Sequence, residues 1–252
     1  MIKVLMHGCN GKVGQTISRI ISGHEGIELT AGVDPYLDVP NHFPVFNNIN
    51  DCDLPVDVII DFSTAKAVVP MLQYAINKKI PAVVCTTGLS PDDMAYVEDA
   101  SKIIPVFFSA NMSLGVNLLI ALAKRATEIL SDSSFDIEII EKHHNQKIDA
   151  PSGTALAIAD AINETLDHTY SYCYDRSTIR EKRPKKEIGI HSVRGGTIVG
   201  EHEILFAGND EFISLTHQAT SKEVFGVGAI KAAKFLAHKG PGLYNMEHLL
   251  NA

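Results

Sequence analysis

The run Asp136–Leu156, DIEIIEKHHNQKIDAPSGTAL, sets His143, His144 and Lys147 just ahead of a Pro-Ser-Gly-Thr sequence that reads as a helix start. Adjacent side chains on an extended segment point to opposite sides, so His143 and His144 serve different neighbours. Lys147 is a compact ammonium charge, suited to meeting an anion or giving up a proton. Pro151 suits the first turn of a helix. The unpaired N–H of Gly153 at that helix end, with the Thr154 hydroxyl, makes a place for a carboxylate. One short loop can therefore neutralise two carboxylates and hold a protic group between them. A lone histidine is more often a packing or surface residue, but this clustering outweighs that reading. No metal centre is expected, because adjacent histidines rarely chelate one ion and His191, His202 and His217 have no helical ligand spacing.

A second chemical signal opens the chain. Lys3–Gly14, KVLMHGCNGKVG, carries an apolar strand into a loop with Gly8, Gly11 and Gly14. Glycines there let the backbone turn and approach a pyrophosphate, with the next helix pointing free N–H groups at it. The spacing is one residue longer than the common G-x-G-x-x-G, so a ligand-free glycine turn is the alternative. Context favours the nucleotide: Asp34 lies twenty residues past Gly14, at the end of the next strand, where it can accept from an adenosine ribose. Pro35 and Tyr36 follow Asp34, with no adjacent base to clamp a 2′-phosphate, which favours NADH over NADPH. Lys12, within reach of the loop, is the counter-argument. Cys85-Thr86-Thr87-Gly88 and Ser109-Ala110-Asn111-Met112 close two later strands and can line the same crevice.

The rest of the chain must position these groups. Its 252 residues suggest one large domain or two smaller ones. A hydrophobic share of 45% and a charged share of 21% are those of a soluble globular protein. The net charge of −8 argues against nucleic acid as a partner. Cys9, Cys52, Cys85 and Cys173 form no CxxC pair and read as small buried residues in a reducing cytoplasm. The opening apolar stretch is too short for a signal peptide, and the helix near Leu114–Ala123 falls short of the ~20 residues of a membrane span.

Apolar strands alternate with helices through the first half: strands at Ile2–His7, Ile27–Val33, Val56–Asp61, Ala82–Cys85 and Ile103–Phe108, helices at Lys12–Ile21, Ala65–Asn77 and Pro91–Ala100. That pattern predicts a parallel sheet covered on both faces. A long helix over Leu114–Leu130, a strand over Phe135–Glu141 and a loop carrying the histidines follow. Glu187–Thr216 alternates as antiparallel strands would, and a helix over Glu223–Ala237 ends the pattern. The basic segment Arg176–Lys186 reads as an exposed loop. The domains expected are 1–112 with 223–252, holding the dinucleotide, and 113–222, holding substrate.

Over essentially its whole length the chain closely resembles the 4-hydroxy-tetrahydrodipicolinate reductase (dihydrodipicolinate reductase) family of bacterial lysine biosynthesis. The stretches that carry the resemblance are VLMHGCNGKVG, VVCTTG, FSANMSLGVN, EIIEKHHNQKIDAPSGTAL and GIHSVRGGTIVGEHEILFAG. It implies an α/β protein: an N-terminal Rossmann-like domain plus an α+β substrate domain with a mixed, largely open sheet, through which a homotetramer forms. It implies hydride transfer from NADH or NADPH to a small dicarboxylate, with loss of water, in a cleft between the domains. By resemblance, Gly8, Cys9, Asn10, Gly11, Lys12 and Val13 form the pyrophosphate loop and Asp34 is the ribose acid. Cys85, Thr86, Thr87, Ser109, Ala110, Asn111 and Met112 lie on the nicotinamide side. His143 matches a proton donor or acceptor, Lys147 a proton donor, and His144, Gly153 and Thr154 substrate contacts. Cys85 departs from the glycine or alanine common there. Two rivals remain: another two-domain nicotinamide dehydrogenase of amino-acid metabolism, which would lack HHNQKIDAPSGT, and a non-catalytic dinucleotide-binding protein, which would lose the protic residues.

Overall fold

The computed structural model describes residues 1–130 and 133–252 and divides into two compact units, Met1–Leu114 with Glu223–Ala252, and Gly115–Lys222. The first unit begins β1 (Ile2–His7), α1 (Lys12–Ile21), β2 (Ile27–Val33), β3 (Val45–Phe46) and, after a 3-10 turn, β4 (Val58–Asp61). It continues with α2 (Ala65–Lys78), β5 (Ala82–Val84), α3 (Pro91–Ser101) and β6 (Pro105–Phe108). The second unit is made by α4 (Leu114–Leu130), β7 (Asp136–His143), α5 (Gly153–Thr165), β8 (Ser171–Cys173), β9 (Glu187–Arg194), β10 (Gly200–Ala207) and β11 (Phe212–Ala219). The chain then returns to the first unit with α6 (Glu223–Leu236), β12 (Gly242–Tyr244) and α7 (Met246–Leu250).

The first unit is a seven-stranded sheet in the order β12-β6-β5-β4-β1-β2-β3, parallel at every pairing. Side chains alternate across it, so Val4, Met6, Val58, Ile60, Val83 and Phe107 pack one core with residues of α1 and α6. Leu5, Ile59, Ala82, Val84 and Val106 pack the other with α2 and α3. Burial on both faces explains why these strands read as continuous apolar runs. β1 has β2 on one side and β4 on the other. The strand order reverses there, and in such sheets ligands settle beyond the carboxyl ends at that point.

The second unit is a five-stranded sheet, β11-β10-β7-β9-β8. Ile137, Ile139, Ile188, Ile190, Ile204 and Phe206 bury one face against Leu119 and Ala123 of α4 and Ile158 and Ile162 of α5. The sheet is mixed, and this corrects the antiparallel reading of 187–216: β10 is antiparallel to β7 and β11, but β9 runs parallel to β7 and β8. A parallel neighbour needs a long crossover, and α5 with β8 supplies it.

Two further local readings are corrected. His143 is the last residue of β7 and not part of a loop, because β7 stays paired that far, to Arg194 of β9. The helix starts at Gly153 with Ser152 as its N-cap, so Pro151 stands outside the first turn. The basic segment 176–186 is also not uniformly solvated. Arg183 contacts Asp136 at 2.8 Å and Glu138 at 2.9 Å and donates to the carbonyls of Ile137 and Glu187, while Arg176 meets Glu187 at 2.6 Å. No helix among the described residues is long and apolar enough to cross a membrane.

Candidate active site

In the first unit the structure places the sequence-selected residues on one edge of the sheet. Gly8 follows β1, Asp34 follows β2, Cys85–Thr87 follow β5 and Ser109–Met112 follow β6. Gly8 has φ +80°, and a Cβ there would stand 2.4 Å from the Phe62 carbonyl oxygen. A Cβ on Gly14 would stand 2.2 Å from the Gly8 carbonyl oxygen. The two glycines thus let the start of α1 press against the ends of β1 and β4. Gly11 caps α1 without a side-chain acceptor. The first-turn N–H groups of a helix have no intrahelical partner, so this end suits an anion. Lys12 is exposed on that turn, with Val13 half-buried beside it.

Asp34 is buried, and its oxygens accept from the backbone N–H groups of Asn10 and Tyr36, both at 3.0 Å. It ties the glycine loop to β2. The Cys9 thiol is pushed up to about 12, by burial first and then by the Asp34 charge, so Cys9 is a neutral packing group. Cys85 is likewise buried and its thiol raised well above the ordinary range. Both thiols therefore stay neutral, which leaves neither as a thiolate nucleophile.

Thr86 belongs to a network the sequence did not suggest. Asp61, fully buried at the end of β4, accepts from Thr86 Oγ1 at 2.6 Å and Ser63 Oγ at 2.5 Å and lies 2.7 Å from His7 Nδ1. Thr86 Oγ1 in turn accepts from the Ser63 N–H at 3.0 Å. This cross-links the ends of β1, β4 and the segment after β5. Thr87 and Ala110 stay exposed, Ser109 Oγ donates to the Asn111 carbonyl, and Asn111 Oδ1 accepts from the Ser113 N–H. Met112 is buried in the core and its carbonyl lies against Gly228.

In the second unit the organising residue is Glu141, which has no exposed surface. It sits two positions before His143, on the same face of β7. Arg194 grips both of its oxygens, at 2.7 and 2.8 Å. His143 Nδ1 is at 2.5 Å and the Ser152 N–H at 3.1 Å. Burial alone would raise the Glu141 carboxyl, but the hydrogen bonds from Arg194, His143, Ser192 and Ser152 hold it down at about 2. A carboxylate only accepts, so His143 must carry hydrogen on Nδ1, which leaves Nε2 as the acceptor nitrogen of the neutral ring. Burial lowers the His143 pKa, against the upward pull of Glu141. His143 is therefore held in one orientation, and burial favours its neutral form.

His202 lies opposite Glu141 on β10, its ring edge-on to His143 at 5.2 Å. Its Nε2 is 3.1 Å from Ser152 Oγ, which also accepts from the Ala155 N–H as the cap of α5. Burial first, and then the neighbouring His143, drive its pKa to about 4. Lys147 Nζ pairs with Asp149 Oδ1 at 2.8 Å. The turn that presents Lys147 is closed by its N–H on the His144 carbonyl. His144 is half-buried, Gly153 is exposed with nothing within 4 Å of a Cβ built on it, and Thr154 is half-buried. The second unit thus brings together His143, His144, Lys147, Gly153 and Thr154 around one cap. Sequence reasoning missed Glu141, Asp149, Ser152, Arg194 and His202. The i, i+2 spacing of Glu141 and His143 was a usable local signal, whereas Arg194 enters only through the β7–β9 pairing.

Residues 2–112 match the family described as dihydrodipicolinate reductase, N-terminus, and residues 115–250 match dihydrodipicolinate reductase, C-terminus. The chain belongs to the dihydrodipicolinate reductase family. It is accordingly an oxidoreductase with a dinucleotide-binding unit. A 4-hydroxy-tetrahydrodipicolinate reductase from Caldanaerobacter subterraneus subsp. tengcongensis is 52% identical over 250 residues, covering 99% of this chain and 98% of that protein. The reductase of the same name from Staphylococcus epidermidis is 44% identical, covering 95% and 97%. Among solved structures, a dipicolinate-bound dihydrodipicolinate reductase from Paenisporosarcina sp. TG-14 superposes with a TM-score of 0.81 at 26% identity, covering 97% of each chain. The diaminopimelate dehydrogenase of C. glutamicum aligns at a TM-score of 0.58 and 14% identity, which shows shared fold alone.

Proposed function

We propose that this family member reduces 4-hydroxy-tetrahydrodipicolinate to tetrahydrodipicolinate, with loss of water, on the diaminopimelate route to lysine. The observation that carries the reading is the Glu141–Arg194–His143 network beside Lys147 and the start of α5, in a chain that matches both halves of the family. The reaction takes up a hydride and a proton and releases water. NADH or NADPH, when bound, supplies the hydride; the protein orients and neutralises. The residues present fit such a cofactor: the Gly8–Gly14 approach leaves no room for side chains and the α1 end is uncapped. Gly8 to Val13 would hold the pyrophosphate, Asp34 the ribose, and the stretches Cys85–Thr87 and Ser109–Met112 the nicotinamide side.

Lys147 gives the proton from its Nζ. His143, neutral with a free Nε2, accepts or returns one. His144, the Gly153 N–H and the Thr154 hydroxyl hold carboxylate at the α5 start, where the helix dipole favours negative charge. The dipicolinate held by the Paenisporosarcina enzyme is a planar diacid of the same class. Four free, buried cysteines suit a reducing cytoplasm. A homotetramer built on the second sheet is supported by its other face, which no helix in that unit's core cluster covers and which presents Ile140, Leu205 and the exposed Phe212.

NADH is expected to serve at least as well as NADPH, since buried Asp34 would repel a 2′-phosphate and Lys12 is the basic residue the loop itself offers against it. The test follows loss of reduced nucleotide with enzymatically made substrate, once with each cofactor, and titrates both against the apo protein at one ionic strength. No turnover with either nucleotide overturns the function. NADPH binding about tenfold tighter than NADH, about 1.4 kcal/mol, overturns the preference and makes Lys12 the phosphate clamp.

A further inference from the structure

Asp149 already holds the groups assigned above to a substrate carboxylate. Its Oδ1 is 2.8 Å from Lys147 Nζ, and the Gly153 N–H also bonds its carboxyl. These contacts, the Lys147 bond foremost, hold the carboxyl below its ordinary range, so Asp149 is an anion at neutral pH. Its backbone is fixed independently, because Arg194 Nη2 donates to the Asp149 carbonyl at 2.6 Å. The side chain, however, is 57% exposed. An anchored backbone with an exposed carboxylate can swing out without disturbing the loop. An ion pair with one end this exposed is weak and exchangeable.

We propose that Asp149 is a positioning residue whose carboxylate occupies the Lys147 and Gly153 anion site in the ligand-free chain and is displaced by a carboxylate of the substrate. This rests on the function proposed above. The built-in carboxylate keeps Lys147 folded over the α5 start. It also sets a threshold against small single-charge anions, which must replace it one for one. A diacid passes that threshold because its second carboxylate gains further contacts.

The test uses pyridine-2,6-dicarboxylate as the probe, on full-length wild type, Asp149→Asn and Lys147→Ala. Removing the internal competitor should tighten dipicolinate binding by roughly two- to fivefold, the scale of an exposed ion pair. The substrate KM should fall by a similar factor, out of proportion to any change in kcat, a split that a purely structural role would not produce. The gain should shrink as salt is added. Thermal melting establishes that Asp149→Asn is folded; if it is not, Asp149→Ser takes its place. Unchanged or weaker dipicolinate binding in a folded variant overturns the role of Asp149. If that occurs while Lys147→Ala still weakens binding, the substrate reading stands and this inference alone falls. If wild type fails to bind dipicolinate, both fall.

Discussion

The two units solve opposite physical problems. In the first, the ligand edge is made of backbone. Gly8 and Gly14 matter for the atoms they lack, and the charge offered to a phosphate is that of an uncapped helix end. In the second, the edge is made of side chains held by other side chains. Glu141 is buried at no exposure and still ionised, and it fixes Arg194, His143 and the cap of α5 at once. The difference fits the tasks proposed for them: the first unit would hold a large cofactor, and the second would move a proton.

The largest effect that would sharpen this contrast is on rate. Lys147→Ala should lower kcat by about 10²–10⁴, the usual worth of a general acid, yet cost no more than about 1 kcal/mol of stability, since the Asp149 side of its one ion pair is exposed. Single-turnover loss of reduced nucleotide and urea melts together check this. A variant with near wild-type kcat would remove Lys147 from the chemistry.

Gly8→Ala should do the reverse. It places a Cβ 2.4 Å from a backbone oxygen at φ +80°, so destabilisation of roughly 2–5 kcal/mol is expected, with nucleotide binding lost. Gly153→Ala meets nothing within 4 Å and should melt as wild type does. Equal melting transitions for the two variants would erase the distinction between the units.

The smallest expected effect concerns pH. His202 titrates near 4 when folded and near 6.5 when unfolded. The unfolded chain therefore binds more protons across that window, and stability falls as pH drops from about 6.5 to about 4, by ~2–3 kcal/mol. Glu141 acts lower: its contribution is complete above its unfolded value of 4.5 and is lost as pH falls toward the folded value of about 2. His202→Asn should flatten the upper window and leave the lower one. Urea midpoints at pH 7, 5.5 and 4 decide it, and parallel slopes for variant and wild type would refute the assignment.

Where a structural property depends on neighbours along the chain, the sequence alone determined it. β1, α1, β2 and α4 have the bounds their apolar periodicity predicts, because burial of one stripe or of two faces is written into residue order. The glycine loop was legible for the same reason, as were His143 and Lys147, which lie within a dozen residues of the α5 start. Only the tertiary structure decided the direction of β9, since strand pairing depends on the crossover and not on alternation. It alone brought Arg194 onto Glu141, 53 positions away, turned Arg183 from a solvated charge into a clamp on β7, and put Thr86 on Asp61. Hydrogen bonds and burial act over a few ångströms in space, whatever the separation along the chain. The protonation states of Glu141, His143 and His202 could therefore be fixed only once folding had gathered their partners.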